Sequence, residues 1–321
     1  MRRIIFPAGH PAGVVDAPIP VPGPGQLLVC TEAVGVGVGL VRMLKAGDAV
    51  RPGGEMVGTV VSAGPEVAGF EVGDRVGGVV FEDVYAEMVL ADPRLVSHVP
   101  AEVDAAAALA LVRGGLIALS SLRAGHVAPG ESVLVTAAAS GTGHLAVQLA
   151  KALGAARVVA AVGSADKAGF VRQCGADEVV TYPQPSWGDP VDLVLDGVGG
   201  ELVQRGVDAL APFGRLVAFS AGGGSVDAGS LLGGLKSVLG FSIGLVNRTR
   251  PDLVTQRRAE LWDLLAAGRL HPKSVDFPLE EITKAINLVA SRNNLGRVTL
   301  RLSLSFSPEP HVLTGSGDYL V

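Results

Sequence analysis

The chain has 321 residues, a formal net charge of −5 and an apolar share of 48%, with aromatic residues at only 4%. This length suggests two domains with ample core, and the scarcity of aromatics predicts a core of Val, Ala and Leu. Lys and Arg are interspersed among acids and form no basic block, which argues against a nucleic-acid partner.

The first residues hold an apolar segment that is too short for a signal peptide. We find no uninterrupted apolar run of about 18 residues or more, the length that a membrane span needs. We therefore expect a cytoplasmic protein with no membrane partner. The two cysteines, Cys30 and Cys174, are too few for a disulfide framework and are predicted to be small buried side chains.

Up to about residue 100 the chain alternates short apolar runs with Gly and Pro turns. This texture predicts a β-rich lobe. Strands are predicted at residues 3–6, 26–30, 56–62 and 74–76, an extended segment at 85–90, and a short helix at 41–45 after a glycine-rich loop at 35–40.

The stretch from Glu131 to Gly154 organises the second half of the chain. An apolar run at 133–135 predicts a buried strand, and an amphipathic pattern ending at Gly154 predicts a helix. Between them lies the small-residue turn AAASGTG at 137–143. Strand, tight turn and helix form the unit that presents backbone N–H groups to a pyrophosphate, although the glycine pattern is incomplete.

Strand and helix patterns alternate on both sides of this unit. A helix is predicted after Asp104, a plausible N-cap, and further strands at 157–162, 178–182, 191–195, 214–220 and 238–243. This spacing predicts a doubly wound parallel sheet, hence an α/β fold. We expect one β-rich domain at 1–112 and 251–302, a nucleotide-binding domain at 113–250, and a disordered or loosely packed tail at 303–321.

From residue 3 to residue 302 the sequence resembles the zinc-independent medium-chain dehydrogenases/reductases of the quinone oxidoreductase type. The resemblance is carried by PGPGQLLV (22–29), PGGEMVGTV (52–60), VGDRV (72–76), the AAASGTG turn, LAVQLAKALGA (145–155), VGSADKAGFVRQCGAD (162–177), LVLDGVGG (193–200) and APFGRLV (211–217). It implies a GroES-like catalytic domain and a Rossmann domain. It also implies a homodimer in which the strand at 238–243 extends the sheet across a two-fold axis.

The choice of cofactor depends on the end of the strand at 157–162, which reads Gly163-Ser164 with no carboxylate at its tip. NAD-binding proteins carry an acid there, which bonds the ribose hydroxyls. Here a 2′-phosphate would find the Ser164 hydroxyl, the Gly163 N–H and the Lys167 ammonium. The resemblance implies the same, since Ser164, Lys167 and Tyr182 match positions that hold the phosphate of NADPH. We expect NADPH rather than NADH.

The resemblance also implies cofactor contacts after other strands of the sheet, where ligands of such folds bind. The residues are Ser140, Gly141, Thr142 and Gly143 at the pyrophosphate, Gly197 and Val198 under the nicotinamide ribose, Ser220 and Ala221 after the fifth strand (or a plain turn there), and Asn293 near the last strand.

Catalytic zinc is not expected. Zinc-dependent relatives need Cys, His and acid ligands around an open site, together with a four-cysteine lobe. Gly54 replaces the His that would precede Glu55, and Cys30 does not occupy a ligand position. Glu55 alone cannot hold the ion.

The substrate pocket departs from the family's pattern. Reductases of this group usually carry Asn and Asp in a G-V-N-P-x-D loop, whereas residues 35–40 read GVGVGL, so that Gly37 and Leu40 replace them. A Thr and a Tyr of the family are likewise replaced by Ile117 and Leu119. The remaining catalytic candidates are Tyr85 as a proton donor, and Arg42 and Arg113 as cations that alignment places near the pocket.

Two interpretations follow. In the first, the chain reduces a quinone or an α,β-unsaturated carbonyl with NADPH, because the cofactor carries the chemistry and the proton comes from water or Tyr85. In the second, the pocket is repurposed for a bulky apolar or polyketide-like substrate, in a tailoring enzyme such as a cyclase or in an NADPH-binding protein without turnover.

Overall fold

The structure, a computed structural model, describes residues 1–219 and 222–302. Ser220, Ala221 and the tail at 303–321 lie outside the described residues, and with them two of the predicted cofactor contacts.

The first large sheet belongs to the β-rich lobe. Within the described residues it has seven strands in the order β14-β15-β3-β4-β5-β7, with β6 also paired to β3. Its pairs are antiparallel except β14 with β15. The strands are β3 (Leu27–Val36), β4 (Gly54–Ala63), β5 (Arg75–Val80), β6 (Met88–Ala91), β7 (Val96–His98), β14 (Ser274–Pro278) and β15 (Arg297–Arg301), beside a separate ribbon of β1 (Arg2–Ile5) and β2 (Gly13–Asp16).

The second sheet is parallel throughout and has six strands in the described part of the chain, in the order β10-β9-β8-β11-β12-β13. Short β-branched runs make these strands suited to burial on both faces. The strands are β8 (Ser132–Val135), β9 (Arg157–Val162), β10 (Glu178–Thr181), β11 (Val191–Asp196), β12 (Leu210–Ala218) and β13 (Ser237–Gly240). The predicted fold class, a GroES-like domain joined to a Rossmann domain, is confirmed.

Helices cover both sheets. They are α1 (Val38–Lys45), α2 (Ala105–Leu109), α3 (Leu116–Ala124), α4 (Gly143–Ala152), α5 (Ala168–Gln173), α6 (Glu201–Asp208), α7 (Ala228–Gly234), α8 (Ile243–Thr249), α9 (Pro251–Ala266) and α10 (Ile282–Ala290). The segment at 238–243, predicted as one strand, divides into β13 and the start of α8.

A nearly continuous helix joins the two cores. It consists of α2, a π-helical segment at Ala110–Gly115, and α3. Asp104 caps it as predicted, because its Oδ1 accepts the N–H groups of Ala106 and Ala107 at 3.0 and 3.1 Å. Leu109 packs in a cluster with the first sheet and Leu119 in the core of the second.

This helix is also the one in the described residues that is long and apolar enough to cross a membrane. The segment, Ala105–Ala124, has 78% of its most apolar window buried inside the protein, as expected of a core helix.

Helix α9 differs from its expected place. The sequence-based division returned the chain to the first lobe at residue 251, but Val254 and Leu261 of α9 are buried in the core of the second sheet. The chain rejoins the first sheet only at β14.

Candidate active site at the junction of the two sheets

The turn at 137–143, which we call the phosphate turn, joins β8 to α4. The hydroxyl oxygen of Ser140 accepts the N–H of Gly143 at 3.0 Å. Across residues 1–219 and 222–302, we find no hydrogen bond from the N–H groups of Gly141 or Thr142. These two groups lie at the N-terminus of a ten-residue helix, where the helix dipole favours an anion. The turn therefore has the donors that a pyrophosphate needs.

Gly143 is required for packing within the turn, whereas the glycine motif suggests that it is required for contact with a phosphate. A Cβ at this position would collide with the carbonyl oxygen of Ala137 and lie 2.8 Å from Cα of Ala138. The glycine thus permits close packing within the turn. Its N–H is already bonded to Ser140, so Gly141 and Thr142 are the better-placed anion donors.

His144 holds the phosphate turn from behind. Its Nδ1 lies 2.9 Å from the carbonyl oxygen of Ser140, and its Nε2 lies 3.0 Å from the backbone nitrogen of Lys273, which must donate. We infer the tautomer with the proton on Nδ1. Burial lowers the pKa of His144 to about 4, so the ring is neutral at pH 7. The sequence indicated a structural or exposed histidine, and the structure shows a structural one.

The segment at 292–297, before and at the start of β15, lies across the same turn. The N–H of Gly296 donates to the carbonyl oxygen of Ala139 at 2.8 Å, and Ser140 and Gly296 form a parallel bridge. Gly296 has a φ of +78°, a conformation that suits glycine. Asn293 is exposed in this segment, and its predicted cofactor contact stays a prediction.

Asp196 shapes the turn after β11. Its buried carboxylate accepts the Thr136 hydroxyl at 2.9 Å and the N–H groups of Val198 and Gly199 at 3.2 and 2.9 Å. Thr136 in turn accepts the N–H of Gly197 at 2.9 Å. The N–H groups of Gly197 and Val198 are thus already used. A ribose passing here would meet a rigid backbone surface.

The end of β9 brings together the predicted 2′-phosphate residues. The Tyr182 hydroxyl accepts the N–H of Ala137 at 2.8 Å, so this ring links β10 to the phosphate turn. The Lys167 ammonium donates to the carbonyl oxygen of Arg292. Burial lowers the pKa of Lys167, and the nearby charge of Arg292 lowers it further. Gly163 lies beside the Tyr182 ring, 3.8 Å from it at the position that a Cβ would take.

Two features of this end were missed from the sequence. Arg292 is a second cation, whose charge acts on both Lys167 and Tyr182. An acid also lies close to the strand end, because the Ser164 hydroxyl donates to the Asp166 carboxylate. The tip itself, Gly163-Ser164, carries no carboxylate, as expected, but the hydroxyl that was expected to meet a 2′-phosphate is bonded to Asp166. Asp166 opposes a 2′-phosphate, whereas Lys167 and Arg292 favour one.

Next to the phosphate turn, Glu55 is the centre of an ionic cluster with Arg113 and Arg297. Glu55 is 4% exposed. It forms a close ion pair with Arg297, while Nη1 of Arg113 lies 3.5 Å from its Oε2. Burial alone would raise the pKa of Glu55, but the charges of Arg297 and Arg113 hold it below its ordinary value. The carboxylate is therefore ionised and already neutralised by protein groups.

Arg297 connects this Glu55 cluster to both glycine-rich segments. It donates to the carbonyl oxygen of Val36 at 3.0 Å, and its Cδ would lie 3.0 Å from a Cβ on Gly141. A Cβ on Gly35 would collide with its guanidinium. Its buried Nε has no hydrogen-bond partner among the described residues. The sequence did not indicate Arg297 as a site residue, although it is the first residue of β15, the last strand of the segment that resembles the family.

Tyr85, the candidate proton donor, is 3% exposed. Its hydroxyl donates to the carbonyl oxygen of Gly35 at 3.0 Å, and burial raises its pKa. Its proton is therefore bonded to the backbone of the glycine-rich segment at 35–40, which we call the pocket loop. This segment was predicted to be a loop before a helix at 41–45, but it consists of the end of β3, Gly37 and the first turn of α1. A role in proton transfer stays a prediction and requires this bond to break.

The two candidate arginines differ in their surroundings. Arg113 reaches the Glu55 cluster, whereas Arg42 is exposed on α1 and has no hydrogen-bond or ion-pair partner within 1–219 and 222–302. Two supposed pocket residues are core residues instead, since Leu40 is 5% exposed and Leu119 is fully buried. Of the four positions at which this chain differs from the family's pattern, Gly37 and Ile117 remain candidates for lining the pocket.

Family models match both parts of the chain. The model for the alcohol dehydrogenase GroES-like domain matches residues 23–101, and the model for zinc-binding dehydrogenase matches residues 141–259.

Individual relatives agree with this match. Quinone oxidoreductase-like protein 2 of Rattus norvegicus is 32% identical over 266 residues, 78% of this chain and 76% of the relative. A 2-haloacrylate reductase of Burkholderia is 29% identical and covers 94% of this chain and 98% of its own. The quinone oxidoreductase of Thermus thermophilus, solved alone and with NADPH, superposes with a TM-score of 0.80 at 30% identity, covering 94% of this chain and all of its own. The chain therefore belongs to the quinone oxidoreductase-like family of medium-chain dehydrogenases/reductases.

Proposed function

We propose that this protein is a zinc-independent reductase that uses NADPH to reduce a quinone or an α,β-unsaturated carbonyl compound. The observation that carries the proposal is the phosphate turn, where Gly141 and Thr142 present N–H groups at the start of α4 while Ser140, His144 and Gly296 hold the turn in place. The similarity to a quinone oxidoreductase solved with NADPH supports the same cofactor.

The residues present fit NADPH. Gly141 and Thr142 would hold the pyrophosphate, and Lys167, Arg292 and Tyr182 the 2′-phosphate. When bound, NADPH supplies the hydride. The protein's task is to hold the ring, exclude water and place a hydrogen-bond donor at the acceptor's oxygen, where negative charge develops.

The proposal includes no zinc. Gly54 offers no ligand, and Glu55 is already paired with two arginines. Among the described residues, no group of three or more His, Cys, Asp and Glu side chains is placed to bind a metal.

The proposed homodimer uses the free edge of the second sheet. Strand β13 pairs with β12 on one side only, and Leu232 and Leu235 before it are 79% and 61% exposed. An unpaired edge flanked by apolar side chains is suited to pairing with its own copy across a two-fold axis. Light scattering after gel filtration tests this; a monomer at micromolar concentration contradicts it. A cytoplasmic location remains part of the proposal.

Consumption of NADPH with a panel of quinones and enones tests the enzymatic proposal. Turnover of any member supports it. Tight NADPH binding without turnover of any member overturns it in favour of a cofactor-binding protein or a tailoring enzyme such as a cyclase. The pocket loop favours that second candidate, because Gly37 lacks the side chain that the family usually provides.

A further inference from the structure

Arg113 lies in the π-helical segment at Ala110–Gly115, within the helix that joins the two sheets. Single π-helical turns inside longer helices are frequent at functional sites. Here Nη1 of Arg113 comes within 3.5 Å of Glu55 at the start of β4. At the next residue, a Cβ on Gly114 would lie 3.2 Å from the carbonyl oxygen of Gly141. Arg113 therefore lies between the phosphate turn and the first sheet.

The charges of the Glu55 cluster do not balance. Arg297 makes the closer ion pair with Glu55, and its side chain is only 12% exposed. The side chain of Arg113 is 50% exposed, and Glu55 is the partner found for it within the described residues. Two guanidinium groups against one carboxylate leave one unmatched positive charge. The accessible partner, Arg113, carries it.

A guanidinium presents its N–H donors in a planar fork that matches the two oxygens of a carboxylate. Only one edge of the Arg113 fork faces Glu55. Building on the proposed reductase function, we infer that Arg113 binds the carboxylate of an α,β-unsaturated carboxylic acid, which is the substrate class of this site. Ile117, four residues later and partly exposed, offers hydrocarbon for the rest of such a molecule.

This assignment also meets a need of the reaction. A free enoate accepts hydride poorly, because its carboxylate already carries the charge that must grow in the transition state. A fixed guanidinium offsets that charge without reorganisation. The β-carbon accepts a hydride from NADPH and the α-carbon a proton from water. The carbon–carbon double bond is reduced, NADPH is oxidised to NADP⁺, and the saturated carboxylate leaves with Arg113 still charged.

Cinnamate and cinnamamide form a matched pair of probes, with the same ring and double bond but different charge. Each is titrated calorimetrically into protein saturated with NADP⁺ and separately assayed for NADPH consumption. We expect cinnamate to bind about 10- to 100-fold more tightly than cinnamamide, the range of a charge-assisted hydrogen-bond pair. The preference disappears in Arg113→Gln and survives in part in Arg113→Lys, which keeps the charge without the fork. Arg94→Gln removes an arginine that is 87% exposed and pairs with Asp92 rather than with Glu55, and keeps the wild-type preference.

Equal binding of the two probes by the wild type, or a preference that persists in Arg113→Gln, overturns the inference. So does a loss of NADPH affinity in Arg113→Gln with cinnamate affinity unchanged, because the guanidinium would then serve the pyrophosphate. In each case the proposed function stands if other enones or quinones are reduced. Cinnamate bound through Arg113 but not reduced, with every enone and quinone also inert, overturns the proposed function and retains the anion site.

Discussion

The phosphate turn and the pocket loop are both rich in small residues, yet they are held in different ways. Neutral groups hold the phosphate turn: the Ser140 hydroxyl, the uncharged His144 ring and the N–H of Gly296. The pocket loop is held by Tyr85 and by Arg297, which is itself ion-paired to Glu55. The phosphate turn thus keeps uncharged donors for an anion, while the pocket loop borders a charged cluster that a ligand can use.

The largest effect is expected from Glu55→Gln, which removes the negative charge that pairs with Arg113 and Arg297 beside the pocket loop. Two guanidinium groups would lose their common partner, so the free energy of unfolding should fall by about 3–5 kcal/mol. Urea denaturation measures this. Glu82→Gln is the matched control, since that acid is 61% exposed and pairs with an exposed Arg51; its effect should stay below about 1 kcal/mol. Equal losses in the two variants would show that the cluster is not structural.

His144 should make the phosphate turn sensitive to acid. Its pKa is about 4 in the folded protein, against 6.5 ordinarily, so the unfolded chain takes up a proton that the folded one refuses. Its contribution is complete above about pH 6.5 and is lost as the pH falls through 4, a change of about 3 kcal/mol in the free energy of unfolding. Denaturation at a series of pH values tests this. His144→Gln should flatten the slope in this window, and an unchanged slope would contradict the assignment.

Alanine substitutions at two glycines compare the phosphate turn with the pocket loop directly. Gly143→Ala forces a methyl group onto the Ala137 carbonyl and should destabilise the protein by about 1–3 kcal/mol while weakening NADPH binding. Gly39→Ala, in the pocket loop and the first turn of α1, meets nothing within 4 Å and should stabilise by about 0.5–1 kcal/mol. Thermal melting with and without NADPH measures both. Destabilisation by Gly39→Ala would mean that the pocket loop is packed as tightly as the phosphate turn.

The smallest effects are expected at the 2′-phosphate end. Lys167→Ala should weaken NADPH binding about 10-fold, the value of one charge-assisted hydrogen bond, and leave NADH binding nearly unchanged. Asp166→Asn should act in the opposite direction and strengthen NADPH binding, because it removes an acid next to the phosphate. Calorimetric titration with both cofactors separates these effects. Equal weakening of NADPH and NADH by Lys167→Ala would contradict the 2′-phosphate assignment.

Local pattern was enough to predict much of the fold. The strand, turn and helix at 131–154, the Asp104 cap and the parallel sheet all follow from apolar period and turn residues that are close in sequence. The prediction of one strand at 238–243 missed that this apolar run is divided between two short elements, β13 and the start of α8.

The site was less predictable, because side-chain direction depends on tertiary packing. Leu40 and Leu119 were assigned to the pocket but face the cores. Asp166 folds back onto Ser164, which no linear pattern indicates. Arg297 meets Glu55 only because β15 lies beside β3, a pairing between distant parts of the chain. The individual cofactor contacts remain predictions, and the structure adds the hydrogen bonds and packing of the residues concerned.

The central claim is that the candidate site is equipped for hydride transfer even though the pocket loop lacks the side chains that the family usually carries there. Transfer of deuterium tests it most directly. The protein is incubated with cinnamate or a neutral enone and NADPH deuterated at the transferable position, and the product is examined by mass spectrometry and NMR. The account predicts a saturated product with one deuterium at the β-carbon. Tight binding of NADPH with no deuterated product from any acceptor would contradict it.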